Sequence, residues 1–265
     1  MSPEEPAADI GRFGQLVRAT PLPLGEVALV VASVLGHPDP VADGRARLDA
    51  LAADVPGDDL AAVTHHLFST VGFKGDTTAY YDPANSLLPA VLERRKGIPI
   101  TLAIVAVEVA RRLGVSASVV GMPGHVLIGD GDPPERWVDG FHGGAWLDVA
   151  GARARFATIH GRHAPFDPRY LAALPDVAVV ARLLANLVGV FNADGDIHRL
   201  VRVRELRAAI PGVGERERTD LAAALAAVGR FEEAADLWRR ERDTRTGEAA
   251  AAADQEATRL RAHLN

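Results

Sequence analysis

The 265-residue chain contains no cysteine. That removes disulfides, thiolate metal sites and every mechanism with a cysteine nucleophile. Long apolar runs are also missing: Val27 to Leu35 and Leu102 to Val109 stop well short of the roughly 20 residues that cross a bilayer, so no membrane span is expected. There is no Gly-x-Gly-x-x-Gly and no phosphate-loop motif to suggest a nucleotide, and no cofactor is expected. The opening Met-Ser-Pro-Glu-Glu-Pro is acidic and has no basic stretch leading into an apolar core, so it does not read as a secretion signal. A cytoplasmic location is the expectation that follows. Positive charge is in deficit, with 29 Lys and Arg against 35 Asp and Glu and a net charge of −6, which argues against a dedicated nucleic-acid binder.

What is present is ordinary for a folded protein: 48% hydrophobic and 24% charged residues. The length allows one large domain or two modest ones, each with a sizeable core, so size does not force an oligomer. Pattern and punctuation divide the chain into a helical N-terminal region (1–71), an α+β core (72–167) and a helical tail (168–265). The first region reads as helices near 10–19, 24–35, 41–54 and 57–70. Pro21-Leu22-Pro23 and His37-Pro38-Asp39-Pro40 lie between the early ones, and Asp58-Asp59 stands where a cap is useful. In the core, Pro99 starts a helix of all-round apolar character that predicts burial, and Gly114 stops it after Arg111-Arg112. Short β-like runs at 117–120, 125–128, 136–138 and 145–149 predict an antiparallel meander packed on that helix. The tail reads as helices near 177–193, 196–209, 216–228, 231–243 and 248–263. Small residues between Leu221 and Trp238 suit a close tetratricopeptide-type hairpin.

Three features carry chemistry together: Gly97-Ile98-Pro99 entering a buried helix, His125 heading a β-run, and Asp139 ending the next. In papain-type enzymes a nucleophile at a helix start is activated by a histidine, which a third polar group orients. The order of elements here matches that layout. The chain resembles the transglutaminase-like superfamily, and more closely its SirB-type branch. The resemblance rests on Tyr80-Tyr81-Asp82-Pro83-Ala84-Asn85-Ser86, the segment Val91 to Leu102, Glu108 to Gly114, Pro123-Gly124-His125 and Val138 to Gly144. It implies a papain-type α+β core with helical flanks and a Cys-His-Asp site. Laid on the superfamily's Gly-x-Cys motif, Gly97, Ala103 and Gly114 match, and the cysteine position falls on Pro99. Proline has no nucleophile, so the superfamily's acyl transfer cannot run by its usual route.

The first functional expectation is therefore a noncatalytic scaffold binding a protein or peptide partner through its groove and helical tail, with His125 and Asp139 as the remnant of the triad. The second is a hydrolase or acyltransferase using Thr101, or a water activated by His125 and Asp139; a third is a purely structural subunit whose tail mediates assembly. A threonine in a first helical turn more often bonds its own backbone. Use of His125 in either of the first two roles requires it to be reachable; a buried His125 supports neither. Asn85-Ser86 is read as a helix cap, His142 as a loop residue and Arg94-Arg95-Lys96 as a solvated or salt-bridged helix end. No metal site is expected: His65-His66 diverge on a helix, and His160 and His163 lack a third ligand. The segment Asn192 to Ile197 departs from a calcium loop and is read as a hairpin turn.

Overall fold

The computed structural model describes residues 4–39 and 41–264. Pro40 and the first three residues, used above in reading the helix break and the N-terminus, lie outside the described residues. Among the described residues, twelve α-helices, a two-stranded parallel ladder and a four-stranded antiparallel sheet give the mixed α+β character expected. The chain folds as two compact units, one of Ala19–Leu183, the other of Met1–Arg18 with Leu184–Asn265.

In the first unit, α2 (Leu24–Val34), α3 (Val41–Ala53), α4 (Leu60–His65) and α5 (Leu88–Arg94) surround α6 (Pro99–Arg112). Every residue of α6 from Pro99 to Ala110 is buried, and each fully buried aliphatic side chain contributes about 1.5–3 kcal/mol relative to exposure. Pro99 occupies the first turn, where its missing N–H costs nothing. Glu108 is the charged group inside this run. Arg112 lies 2.9 Å and Arg111 3.3 Å from its carboxylate. Gly25 faces it so closely that a Cβ there would stand 2.6 Å from Glu108 Oε2, so α2 and α6 need glycine at this crossing. Of the predicted cap pair, Asp59 does the work, accepting from Ala62 N–H at 2.7 Å. Helix α4 runs on into a π-helical turn, His66–Val71, that ends at Gly72 with φ 87°.

Two short strands, β1 (Lys74–Gly75) and β2 (Lys96–Gly97), pair in parallel. The meander is β3 (Ala117–Val120), β4 (Leu127–Gly131), β5 (Pro134–Asp139) and β6 (Ala145–Leu147), in sequence order, with β3 and β4 against α6. The last predicted strand runs two residues too far. Asp148 caps a helix the sequence reading missed, α7 (Val149–His160), by accepting from Gly151 N–H at 2.7 Å. Helix α7 buries only Ala152 and Phe156, so it shows no apolar stripe of helical period. The next helix, α8 (Asp176–Asp194), is long and apolar enough by length and composition to cross a membrane, where the sequence reading saw no such stretch; 39% of that stretch is buried in the fold.

The second unit holds α1 (Glu4–Leu16), α9 (Ile197–Ala209), α10 (Glu215–Ala227), α11 (Phe231–Asp243) and α12 (Gly247–Arg261). From α9 to α12 each helix packs on the next, and α1 lies on α9. Asp196 caps α9 through Arg199 N–H at 3.0 Å, after Gly195 in the left-handed region at φ 70°. The turn read from the sequence thus lies between α8 and α9, and its last residue caps α9.

Candidate functional site

His125 sits in the loop just before β4, two residues short of the strand it was expected to head. The turn before it is held from three sides. His125 N–H donates to Met122 O at 3.0 Å, with Gly124 at φ 73°. Arg182 on α8 donates to Met122 O at 2.8 Å and His125 O at 2.9 Å. His160 on α7 places Nε2 3.0 Å from Pro123 O. Desolvation lowers the pKa of the Arg182 guanidinium, against a smaller opposing influence of Tyr80.

Asp139, at the end of β5, is fully buried and gathers four groups. His125 Nε2 is 3.0 Å from Oδ1, His142 Nδ1 is 2.9 Å from Oδ2, and His142 N–H donates to Oδ1 at 3.2 Å. Arg155 Nε on α7 lies 2.9 Å from Oδ2, an ion-pair distance, though its N–H is not aligned for a hydrogen bond. Burial pushes the Asp139 pKa up. The His125 hydrogen bond and the charges of His125, His142 and Arg155 outweigh it, and the net shift is downward. The sequence reading paired His125 with Asp139, and the structure brings them together. It left out His142, taken for a loop residue, and Arg155, which lies on the missed helix. The signal in the sequence for His142 is its place three residues after an aspartate, the spacing at which a carboxylate accepts from a turn N–H.

His125, Asp139 and His142 offer three ligand atoms within 4.8 Å of one another. The same atoms are already engaged with each other, and a guanidinium occupies the carboxylate's second oxygen. A divalent ion would meet like charge there, so the donor set suits an ion-paired clasp better than a metal.

Thr101 does not join this group. It is 1% exposed. Its hydroxyl lies within donating distance of Asn85 O at 2.8 Å and Ile98 O at 3.0 Å, and accepts from Ile98 N–H at 3.1 Å. Ile98 has no side-chain acceptor, so Thr101 alone stitches the helix start. Asn85-Ser86 are not the cap the sequence suggested. They lie in a short 3-10 turn, Pro83–Ser86, while Leu87 precedes α5 without a side-chain cap bond. Asn85 is fully buried and ties the segment to itself through Nδ2 and Ala79 O at 2.7 Å. Both residues face inward, where fixing the chain against α6 outweighs capping.

His125 is 5% exposed, so it fails the reachability its direct use requires. The accessible surface lies around it. Tyr81 is 73% and Tyr80 38% exposed, their rings edge to face at 5.2 Å. Phe141 packs edge-on to Tyr80 at 5.8 Å and to His142 at 5.2 Å, and lies 6.3 Å from His125. Gly75 makes room for Phe141, since a Cβ there would stand 2.4 Å from its ring. The Arg94-Arg95-Lys96 cluster is partly salt-bridged, as read: Arg94 reaches Asp82 at 3.2 Å and Asp76 at 3.4 Å. Asp76 also accepts from the Thr78 hydroxyl and from Ala79 N–H, and its pKa falls to about 2.

Among known proteins, the chain is 42% identical over 141 residues to a UPF0162 protein of Xylella fastidiosa (strain Temecula1), covering 51% of this chain and 50% of that one. It is 32% identical over 137 residues to F-box only protein 21 of Mus musculus, covering 49% of this chain and 21% of the mouse protein. The match thus spans about half the length of the bacterial relative. Among solved structures, menin is matched over 97% of this chain and 70% of the menin chain at 11% identity, with a TM-score of 0.44. The family model described as transglutaminase-like superfamily matches residues 41–185, which contain the buried helix, the meander and the His125–Asp139 pair, and the chain belongs to that superfamily.

Proposed function

We propose that this is a noncatalytic transglutaminase-like protein of the SirB-type branch, a cytoplasmic scaffold that binds a protein or peptide partner. The observation that carries this reading is the lack of a nucleophile at the start of α6: the superfamily resemblance lays Pro99 on the cysteine position, the Thr101 hydroxyl is spent on backbone atoms, and His125 and Asp139 remain paired with each other. With His125 buried, the pair acts as a clasp between the 122–125 turn, the end of β5 and α7. The rim of Tyr80, Tyr81, Phe141 and His142 is the surface offered to a partner. Tyrosine is enriched in binding hot spots because it buries much area at little entropic cost. The tetratricopeptide-like tail supplies a second surface in this reading. Hydrolase or acyltransferase chemistry through Thr101, or through a water on His125, is disfavoured by the burial of both residues.

The test is peptide display against the full chain, with the enriched peptides then titrated by fluorescence anisotropy. The reading expects saturable binding that weakens about tenfold or more in Tyr81→Ala, the size of one hot-spot truncation, with the fold intact. Binding equal in wild type and Tyr81→Ala would sink the assignment of the rim.

A further inference from the structure

A cavity of about 430 Å³ opens within the helical unit, with Ile10 of α1, Ala209 of α9, Leu221 of α10 and Leu237 of α11 among its apolar walls. That volume lies within the range of small-molecule pockets, about 300–1,000 Å³, in which a mostly apolar lining carries a few placed polar groups. Four charged residues also line it: Glu205, Arg218, Arg240 and Glu241. Their charges do not cancel evenly. Glu205 is neutralised from outside the cavity by Arg230 at 2.7 Å. Glu241, 3% exposed, is held by Arg218 on one side and by Arg245 at 3.5 Å on the other. Arg218 is thereby spent, and its remaining NH1 donates to Val213 O at 2.9 Å. Arg240 is exposed and has no carboxylate partner among the described residues.

An apolar cleft with both acids neutralised and one guanidinium uncompensated has a definite chemical preference. It repels an organic cation, gives a neutral alcohol only its apolar contacts, and gives an amphipathic anion both those contacts and a charge-assisted hydrogen bond. We propose that this cleft binds a medium-chain carboxylate, its alkyl chain against Ile10, Ala209, Leu221 and Leu237 and its carboxylate on Arg240. The site lies wholly in the helical unit and stands or falls separately from the proposed role of the Tyr80–Tyr81 rim.

The experiment is isothermal titration of the full chain with sodium decanoate, with 1-decanol and decyltrimethylammonium as comparators. The proposal expects saturable one-site binding of decanoate and weaker binding of decanol. It also expects a loss of about tenfold or more in Arg240→Gln, as for a hydrogen bond to a charged group, and loss of binding in Ala209→Phe, which fills the cleft. Arg240→Glu is a second charge variant at an exposed position and should abolish binding even if Ala209→Phe fails to fold. The proposal is overturned by any of three results: no saturable decanoate signal, equal affinity for decanoate and decanol with no effect of Arg240→Gln, or preference for the ammonium.

Discussion

In the unit Ala19–Leu183, the residues that bury most are large aliphatics, with Ile100, Leu102 and Ile104 of α6 essentially unexposed. The buried cluster of the helical unit leans on alanine, with Ala222, Ala224, Ala234, Ala235 and Ala257 among its nine members. Its polar faces are laced with Arg–carboxylate pairs such as Arg204–Asp220 and Arg242–Asp254. A core of large side chains supplies the surplus that lets a charged cluster be buried around Asp139, since removing ions from water costs several kcal/mol per ion before pairing recovers it. Alanine contacts permit close helix approach but little burial per residue, and exposed pairs add about 0–1 kcal/mol each. The first unit therefore concentrates its vulnerability at a few atoms, and the second spreads it over many.

The largest effect expected from breaking that contrast is at Asp139. Asp139→Ala leaves His125, His142 and Arg155 without their shared acceptor, and the expected loss is about 3–5 kcal/mol, the cost of breaking a buried ion pair from one side. Urea unfolding followed by tryptophan fluorescence reads it, because two of the three tryptophans, Trp137 on β5 and Trp146 on β6, lie in this sheet; a loss under about 1 kcal/mol would mean the clasp is not structural. Next is Ala234→Leu on α11, where a fully buried alanine leaves no room. Overpacking there should cost about 1–3 kcal/mol, seen as a lower midpoint in far-UV circular dichroism.

Acid gives a third, smaller contrast. Asp76 has a folded-state pKa of about 2 against an ordinary 3.8, held down first by the Thr78 hydroxyl and then by Ala79 N–H. A depressed folded pKa means a contribution fully present above about pH 4 and lost as the pH falls through about 2. Asp139 shifts in the same direction. The first unit should therefore weaken across that window, and Asp76→Asn should flatten the pH dependence there; an unchanged slope contradicts the assignment. The smallest effect is expected at Arg259, whose side chain is 64% exposed beside Glu256. Arg259→Gln should change stability by less than about 0.5 kcal/mol, and thermal unfolding at two salt concentrations checks it.

Helix order, the buried α6 and the α9–α12 sequence were readable because their signals are local: apolar period, Pro at a first turn, Gly after a last one. The His125–Asp139 pairing was readable from element order and the superfamily resemblance. Local signals failed where burial overruled them. Asn85 has a capping residue's chemistry, but full burial directs its side chain to Ala79. Arg155 escaped because α7 buries too little to show a period. The uncompensated Arg240 was invisible because it depends on which carboxylates three other arginines, Arg218, Arg230 and Arg245, take within the helical unit.

The most direct test of the account is turnover by the wild type and His125→Ala, assayed side by side with a glutamine-peptide acyl donor plus a labelled amine, and with a p-nitrophenyl ester. A buried pair with no nucleophile predicts that both proteins run at the buffer rate. A wild-type rate above buffer that disappears in a folded His125→Ala would contradict it and return Thr101 or an activated water to the site.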